Sequence, residues 1–427
     1  MVLLGVIVLF LMLIVANVPI AVAIGAAGAL GHYLRFGDLA LYDIPLKLYE
    51  GATNFPLIAI PLFILAGALM NTTGISKRLI AFVMALIGFV RGGLAMVNVG
   101  VSLFFAEISG SAVADVAATG SVLIPAMKRR GYKPAFAAAL TSSSASLAII
   151  IPPSIPMILY AALADTSVVQ LFVAGIIPGL IGGLTMMLLC YYFAVRYDLP
   201  REDAFDLGRL WQATKEASWA LTLPLIILGG IFGGFVTATE GAGLAVMAAL
   251  LIGVLIYRDL DFASFYKAML DGVRQSGIVL LLVATSAVLG LYLTQSRIPQ
   301  ELTQAILGLT DNRYAVLAML NLLLLVLGVF LHGAAAIILV VPVVMPLVNA
   351  VGIDPVHFGL IVTLNLAIGQ QTPPVASVLV TSCSIARTEI WATTRENVPF
   401  ILLLLFILLL VTYVPAVPLT LVEVFYR

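Results

Sequence analysis

Eleven stretches of this chain contain no Asp, Glu, Lys or Arg, and they leave little freedom of fold. They run over residues 1–34, 51–76, 92–106, 135–164, 166–195, 217–239, 241–257, 275–296, 314–353, 355–386 and 397–422. A helix needs about 20 apolar residues to cross the hydrocarbon of a bilayer, so the longest stretches hold more than one membrane segment. A membrane β-barrel would read as short alternating strands, not as long continuous apolar runs. Charged residues are 10% of the 427, against roughly a quarter in a soluble domain. The chain therefore reads as an all-α polytopic membrane protein whose surface meets lipid. The longest polar stretch, Arg196 to Lys215, is too short to fold alone. Residues 1–34 begin apolar, with neither a basic n-region nor a cleavage site, so a signal peptide is not expected. The formal net charge is zero, which by itself argues nothing about nucleic acid; no nucleic-acid partner is expected of a chain this apolar. Cys190 and Cys383 lie in apolar windows and read as packing residues without a disulfide.

Two of the uncharged windows carry a double proline beside polar groups. The first reads SSSASLAIIIPPS from Ser142 to Ser154, the second NLAIGQQTPPVAS from Asn365 to Ser377. Proline removes a backbone donor and clashes with the preceding turn, so two in succession break a helix. In lipid a broken helix is tolerated only where the freed groups are buried in protein or line a wet cavity. Asn365, Gln370, Gln371 and Thr372 must likewise face polar partners, because an unpaired amide in hydrocarbon costs several kcal/mol. Free carbonyls, hydroxyls and amide oxygens are what a sodium ion takes as ligands. Both stretches are candidate ion and substrate sites.

The two breaks belong to an internal repeat. A shift of 221 residues lays Pro125 on Pro346, Pro134 on Pro355, Pro152 and Pro153 on Pro373 and Pro374, and Pro178 on Pro399. Upstream the shift is 223, where LAMVN at Leu94 meets LAMLN at Leu317, and Gly110 meets Gly333. The first repeat spans 1–200, a cytoplasmic linker 201–215, and the second repeat 216–427. The matched loops differ in charge. KRRGYK (Lys128–Lys133) carries four cations, whereas NAVGID (Asn349–Asp354) carries none. Positive loops face the cytoplasm, so the repeats should have inverted topology. Inverted repeats with helices broken near the midplane are a signature of secondary transporters.

Each repeat should then hold a re-entrant hairpin, at about 107–128 and 332–348, and a broken transmembrane helix, at 135–164 and 355–386. Asp38–Glu50 and Asp259–Arg274 read as matched arms lying along the membrane. Among intramembrane acids, Asp115 and Glu240 are the candidates for coupling, since such groups are functional by default. Glu240 equally suits a helix N-terminus. No Walker loop, metal cluster or nucleophile triad is present in the sequence, so the chain is not expected to be an enzyme or to hold a cofactor beyond a coupling sodium ion.

The run ISGSAVADVAATGSVLIPAMKRRGYKPAFAAALTSSSASLAIIIPPSIPMILYA, with GQQTPPVASVL in the second half, resembles the large membrane subunit of tripartite ATP-independent periplasmic (TRAP) transporters. The resemblance covers essentially the whole chain. It implies an elevator-type transporter of the bacterial inner membrane, in which two hairpins and two broken helices slide against a scaffold. It implies a sodium gradient as the driving force, a small four-helix membrane subunit and a periplasmic substrate-binding protein as partners. The substrate would be an organic anion bearing a carboxylate, such as a C4-dicarboxylate or sialic acid. A stand-alone sodium- or proton-coupled anion symporter of the same superfamily is the alternative. Carried over by position, Ser109, Gly110 and Ser111 would face Ser144, Ser146 and Pro152 around one sodium ion. Gly333 would face Asn365, Gly369, Thr372 and Pro373 around a second. Substrate would lie between the breaks, against Ser143, Ser154, Gln370 and Gln371. HGA in the second hairpin replaces SGS in the first, so the two ion sites should not be equivalent.

Overall fold

A computed structural model describes residues 2–109, 111–199, 201 and 204–426, the side chains of 106–109 excepted. Among these residues every regular element is helical, with one isolated extended bridge between Arg91 and Arg201. The first half comprises α1 (Val2–Val15), α2 (Ile20–Phe36), α3 (Ala40–Ala52), α4 (Ala59–Thr72), α5 (Ile75–Ile87), α6 (Gly93–Ser109), α7 (Ala112–Asp115), α8 (Ser121–Arg129), α9 (Pro134–Ala148), α10 (Ile155–Leu163) and α11 (Val168–Arg196). The second comprises α12 (Leu207–Phe232), α13 (Ala238–Leu251), α14 (Phe262–Gln295), α15 (Ile298–Leu307), α16 (Arg313–Phe330), α17 (Gly333–Ala350), α18 (Pro355–Gly369), α19 (Ser377–Ala386), α20 (Ile390–Tyr413) and α21 (Ala416–Tyr426). Nine helical stretches among the described residues are long and apolar enough to cross a membrane. The all-helical polytopic reading holds.

The repeat seen in the prolines reappears in the helix bounds. α9 and α18 both start on a proline, Pro134 and Pro355, which fits the first helical turn because an N–H there would have no acceptor within the helix. Each follows a glycine in the left-handed region, Gly131 at φ 85° and Gly352 at φ 68°, where other residues would be strained. Each stops after 15 residues, at Ala148 and Gly369. At 1.5 Å per residue these helices reach about 22 Å, short of the roughly 30 Å hydrocarbon layer. The short helices α10 and α19 continue them past each break. Both breaks contain a cis peptide bond, Pro152–Pro153 and Pro373–Pro374.

The two broken helices run antiparallel. Tyr160 near the end of α10 donates its hydroxyl to the carbonyl of Pro355 at the start of α18, at 2.7 Å. Lys128, just before α9, donates to the carbonyl of Ala386 at the end of α19, at 2.9 Å. Lys133 pairs with Glu396 at 3.5 Å on that same end. Around this centre α2 packs along α14, and α4 along α13 and α14, so that each half's outer helices lie on those of the other half. A Cβ at Gly28 would fall 2.7 Å from the backbone of Leu289, which shows how closely α2 and α14 approach.

Several expected boundaries differ. The first hairpin is not confined to 107–128: its arms are α6 (Gly93–Ser109) and the α7–α8 segment, which carries a π-helical turn at Val116–Gly120. Likewise α16 and α17 are the arms of the second, not 332–348 alone. The uncharged window 92–106 is thus the first arm of a hairpin, not an independent pass. The linker is shorter than 201–215, because Asp206 caps α12 by accepting from the Gly208 N–H at 2.8 Å. The matched arms also diverge. In the first half, Asn54 and Pro56 open a 3-10 turn, Phe55–Ile58, that separates α3 from α4. The second half has Val279 where Pro56 would fall, and α14 runs unbroken for 34 residues.

Candidate functional site

The first break is enclosed except at Ile151, which is half-buried. Every residue of α9 from Phe136 to Ala148 is buried, although five of the thirteen are Ser or Thr, whose hydroxyls hydrocarbon would reject without partners. Partners come from α6. Asn98 donates through Nδ2 to Thr141 Oγ1 at 2.6 Å, and its Oδ1 accepts from Ser144 Oγ at 3.1 Å. Ser144 Oγ also lies 2.8 Å from Ser102 Oγ. Two residues on, Ser146 Oγ is buried without a hydrogen-bond partner among the described residues, and so is Ser154 Oγ beyond the prolines. Pro152 is buried.

The second break repeats this arrangement with amides. Asn365 stands at the position of Ser144 and Asn321 at that of Asn98. Asn365 Nδ2 donates to Asn321 Oδ1 at 2.6 Å and to the carbonyl of Ile361 at 2.8 Å. Asn321 Nδ2 in turn donates to Thr412 Oγ1 at 3.1 Å. Asn365 Oδ1, an acceptor, is buried and has no donor among the described residues. Gly369 lies flush on α16, where a Cβ would come 2.6 Å from Gly328 Cα. A Cβ on Gly333 would lie 2.8 Å from Gln370 Nε2, so the start of α17 sits on the break. Thr372 Oγ1 is turned back to the Ile368 carbonyl at 3.1 Å. Unlike the first break, this one opens outward: Thr372 and Pro373 are half-buried, and Pro374 and Val375 are exposed.

A third cluster joins the two broken helices. Ser143 Oγ lies 2.6 Å from both Gln371 Oε1 and Asn397 Oδ1, Ser142 Oγ lies 3.4 Å from Gln371 Oε1, and Asn397 Nδ2 donates to Gln371 Oε1 at 3.1 Å. All four residues are buried. Gln371 Nε2 has no partner among the described residues. The hairpin tip reaches the same region through small apolar side chains: Ala112 and Val116 pack with Ala145 and Ile149 of the first broken helix and with Ala367 and Val378 of the second.

The structure thus brings together Ser143, Ser144 and Gln371 with hydrogen-bonded partners, and places Asn365, Gly333, Gly369 and Gln370 about the second break. Ser111 is half-buried at the start of α7. The side chain of Ser109, and Gly110 altogether, lie outside the described residues. Asp115 is buried in the first hairpin, its carbonyl accepting from Thr119 Oγ1 at 2.8 Å. Glu240 is not brought to the breaks. Its carboxylate accepts from the Thr237 N–H at 2.8 Å, and Thr237 Oγ1 accepts from the Glu240 N–H at 3.2 Å, a capping box at the start of α13. The helix N-terminus reading of Glu240 is the one this geometry fits. Asn98, Asn321 and Asn397 were not singled out from the sequence. The signal for the first two was present, since both end the matched strings LAMVN and LAMLN.

Two antiparallel broken helices, each with buried oxygens beside its break and each clasped by a hairpin, define a membrane transporter. The chain matches, over residues 7–417, the family described as the tripartite ATP-independent periplasmic transporter, DctM component, and it belongs to that family. It is 37% identical over 399 residues to the C4-dicarboxylate TRAP transporter large permease protein DctM of Pseudomonas aeruginosa, covering 93% of both chains. It is 36% identical to the sialic acid TRAP transporter large permease protein SiaM of Vibrio cholerae, covering 89% of both. It is 40% identical to the isethionate TRAP transporter permease protein DctMQ of Oleidesulfovibrio alaskensis, where 96% of this chain spans 64% of that longer protein. Among solved structures, the YdaH transporter of Alcanivorax borkumensis shares the fold, with a TM-score of 0.63 at 17% identity over 88% of this chain and 89% of that one. The chain is therefore a multi-pass integral membrane protein, in bacteria of the inner membrane, from a family of transport permeases and not of enzymes.

Proposed function

We propose that this permease uses a sodium gradient to take up an organic anion that a periplasmic binding protein delivers. A small four-helix membrane subunit completes the complex. The observation that carries this reading is the pair of matching polar networks, Asn98–Ser144 and Asn321–Asn365, each leaving beside its break a buried oxygen with no partner among the described residues: Ser146 Oγ in one, Asn365 Oδ1 in the other. A buried acceptor left unmade costs about 1–3 kcal/mol, and a sodium ion relieves that cost while a further donor would not be needed. The relatives' names carry the substrate class: a C4-dicarboxylate, sialic acid and isethionate are all small organic anions. An anion with a carboxylate is the reading for this chain, held between the breaks where Ser143 and Gln371 meet. An elevator motion is supported by the ties that make the two broken helices one body: the Ser143–Gln371–Asn397 cluster and the apolar contacts of the first hairpin tip.

Uptake into proteoliposomes containing this chain, the small subunit and the liganded binding protein tests the reading. Replacing external sodium with potassium is expected to reduce uptake to background. Uptake that continues undiminished in potassium would remove sodium coupling from the account.

A further inference from the structure

At the end of the molecule where Lys128 reaches the carbonyl of Ala386, a cavity of about 380 Å³ opens between α8 and α19. Pro125, Lys128, Arg129, Ile385 and Arg387 line it. Three cations from sequence-distant elements therefore share one cavity over an apolar floor, with no acidic lining residue. Lys128 has a partner in the Ala386 carbonyl, and basic residues are favoured at helix C-termini in general. Arg129 and Arg387 are exposed and form no ion pair with any described residue. Glu389 is exposed close by in sequence but does not line the cavity.

The internal repeat shows that the packing does not require these charges. The mates of Pro125, Lys128, Arg129, Ile385 and Arg387 are Pro346, Asn349, Ala350, Ala164 and Thr166. The proline is kept and every cation is gone. The junction of hairpin and broken helix thus forms without cations at the other end of the molecule.

We propose that this cavity is a binding site for a phosphate-bearing anion, with Arg129 and Arg387 as its recognition groups. Guanidinium forks match phosphate oxygens in a bidentate way, and basic pockets between membrane helices on the cytoplasmic side suit anionic lipid headgroups. The apolar floor of Pro125 and Ile385 fits a phosphodiester that continues into acyl chain. Bound there, the anion neutralises cations drawn from both halves and fastens the end of the first hairpin to the end of the second broken helix. This site is separate from the breaks, and its occupancy does not depend on the sodium reading.

The test is binding to the purified, detergent-solubilised full chain, with short-chain phosphatidylglycerol, short-chain phosphatidylcholine and inorganic phosphate as separate probes. Saturable binding of phosphatidylglycerol over phosphatidylcholine is expected, weakened at least about tenfold in Arg129→Gln/Arg387→Gln and retained in Arg129→Lys/Arg387→Lys and in the remote control Arg258→Gln. Saturable binding of inorganic phosphate with the same dependence on the two arginines supports the site and assigns it to a free anion. Absence of saturable binding of either probe, or equal binding by the Gln variant, overturns the proposal.

Discussion

Ser144 and Asn365 occupy the same register of the two broken helices, yet they end in different states. The Ser144 hydroxyl is engaged with Asn98 and Ser102, whereas Asn365 spends its amide nitrogen on Asn321 and Ile361 and its oxygen has no partner among the described residues. The second site should therefore lose more when its side chain is removed. Asn365→Ala is expected to raise the sodium concentration for half-maximal uptake by roughly five- to tenfold, about 1 kcal/mol of ligand binding, and Ser144→Ala by less. Sodium titrations of uptake at matched expression check this, and unchanged titrations in both variants would make these residues packing groups. Glu240→Gln serves as the contrast: it weakens a capping box, so the thermal midpoint should fall slightly while the sodium titration stays put. At this scale the sequence was readable where several polar residues crowd one uncharged window, as in Asn365 to Thr372. A lone amide such as Asn98 in an apolar helix looks like any packing residue until its partner's position is known. Asn397 has no polar mate in the other half, so the repeat offered no help with it.

Elements were legible where proline or glycine punctuates them. The double prolines located both breaks, because proline removes the donor and clashes with the preceding turn. Elements without punctuation were misread. The first arm of each hairpin is an ordinary apolar helix, and nothing local says that it turns back at residue 109 or 330 instead of ending a pass. The fusion of the expected arm into α14 follows from one missing proline, which a pattern sought by similarity does not register. One close helix contact makes a prediction of its own. Gly369 and Gly328 let α18 and α16 meet backbone to backbone, and a methyl at Gly369 would lie 2.6 Å from Gly328 Cα. Gly369→Ala should force the helices apart, cost about 1–3 kcal/mol, and shift Asn365 relative to Asn321. The expected result is a lower melting temperature together with weakened sodium dependence. A variant with wild-type melting and uptake would mean that the contact yields without consequence.

The arrangement of the whole molecule rests on direction. Tyr160 beside Pro355, and Lys128 beside Ala386, make the two broken helices antiparallel, and the charge difference between the loops at 128–133 and 349–354 says which end faces the cytoplasm. The hydrogen bonds put the matched loops at opposite ends of the helix pair, and the charge rule predicts that the cationic loop is the cytoplasmic one. Arg129 and Ala350 are repeat mates and both are exposed, and the native Cys190 and Cys383 are buried. In intact cells an impermeant maleimide should label Ala350→Cys and leave Arg129→Cys unlabelled until the membrane is permeabilised. Labelling of both from the outside would break the inverted topology, and with it the proposal that the two breaks are ion sites approached from opposite faces. Labelling of Arg129→Cys alone would keep the inversion but reverse the molecule, placing the cationic cavity between α8 and α19 on the periplasmic side, away from the anionic cytoplasmic surface that its charges suit.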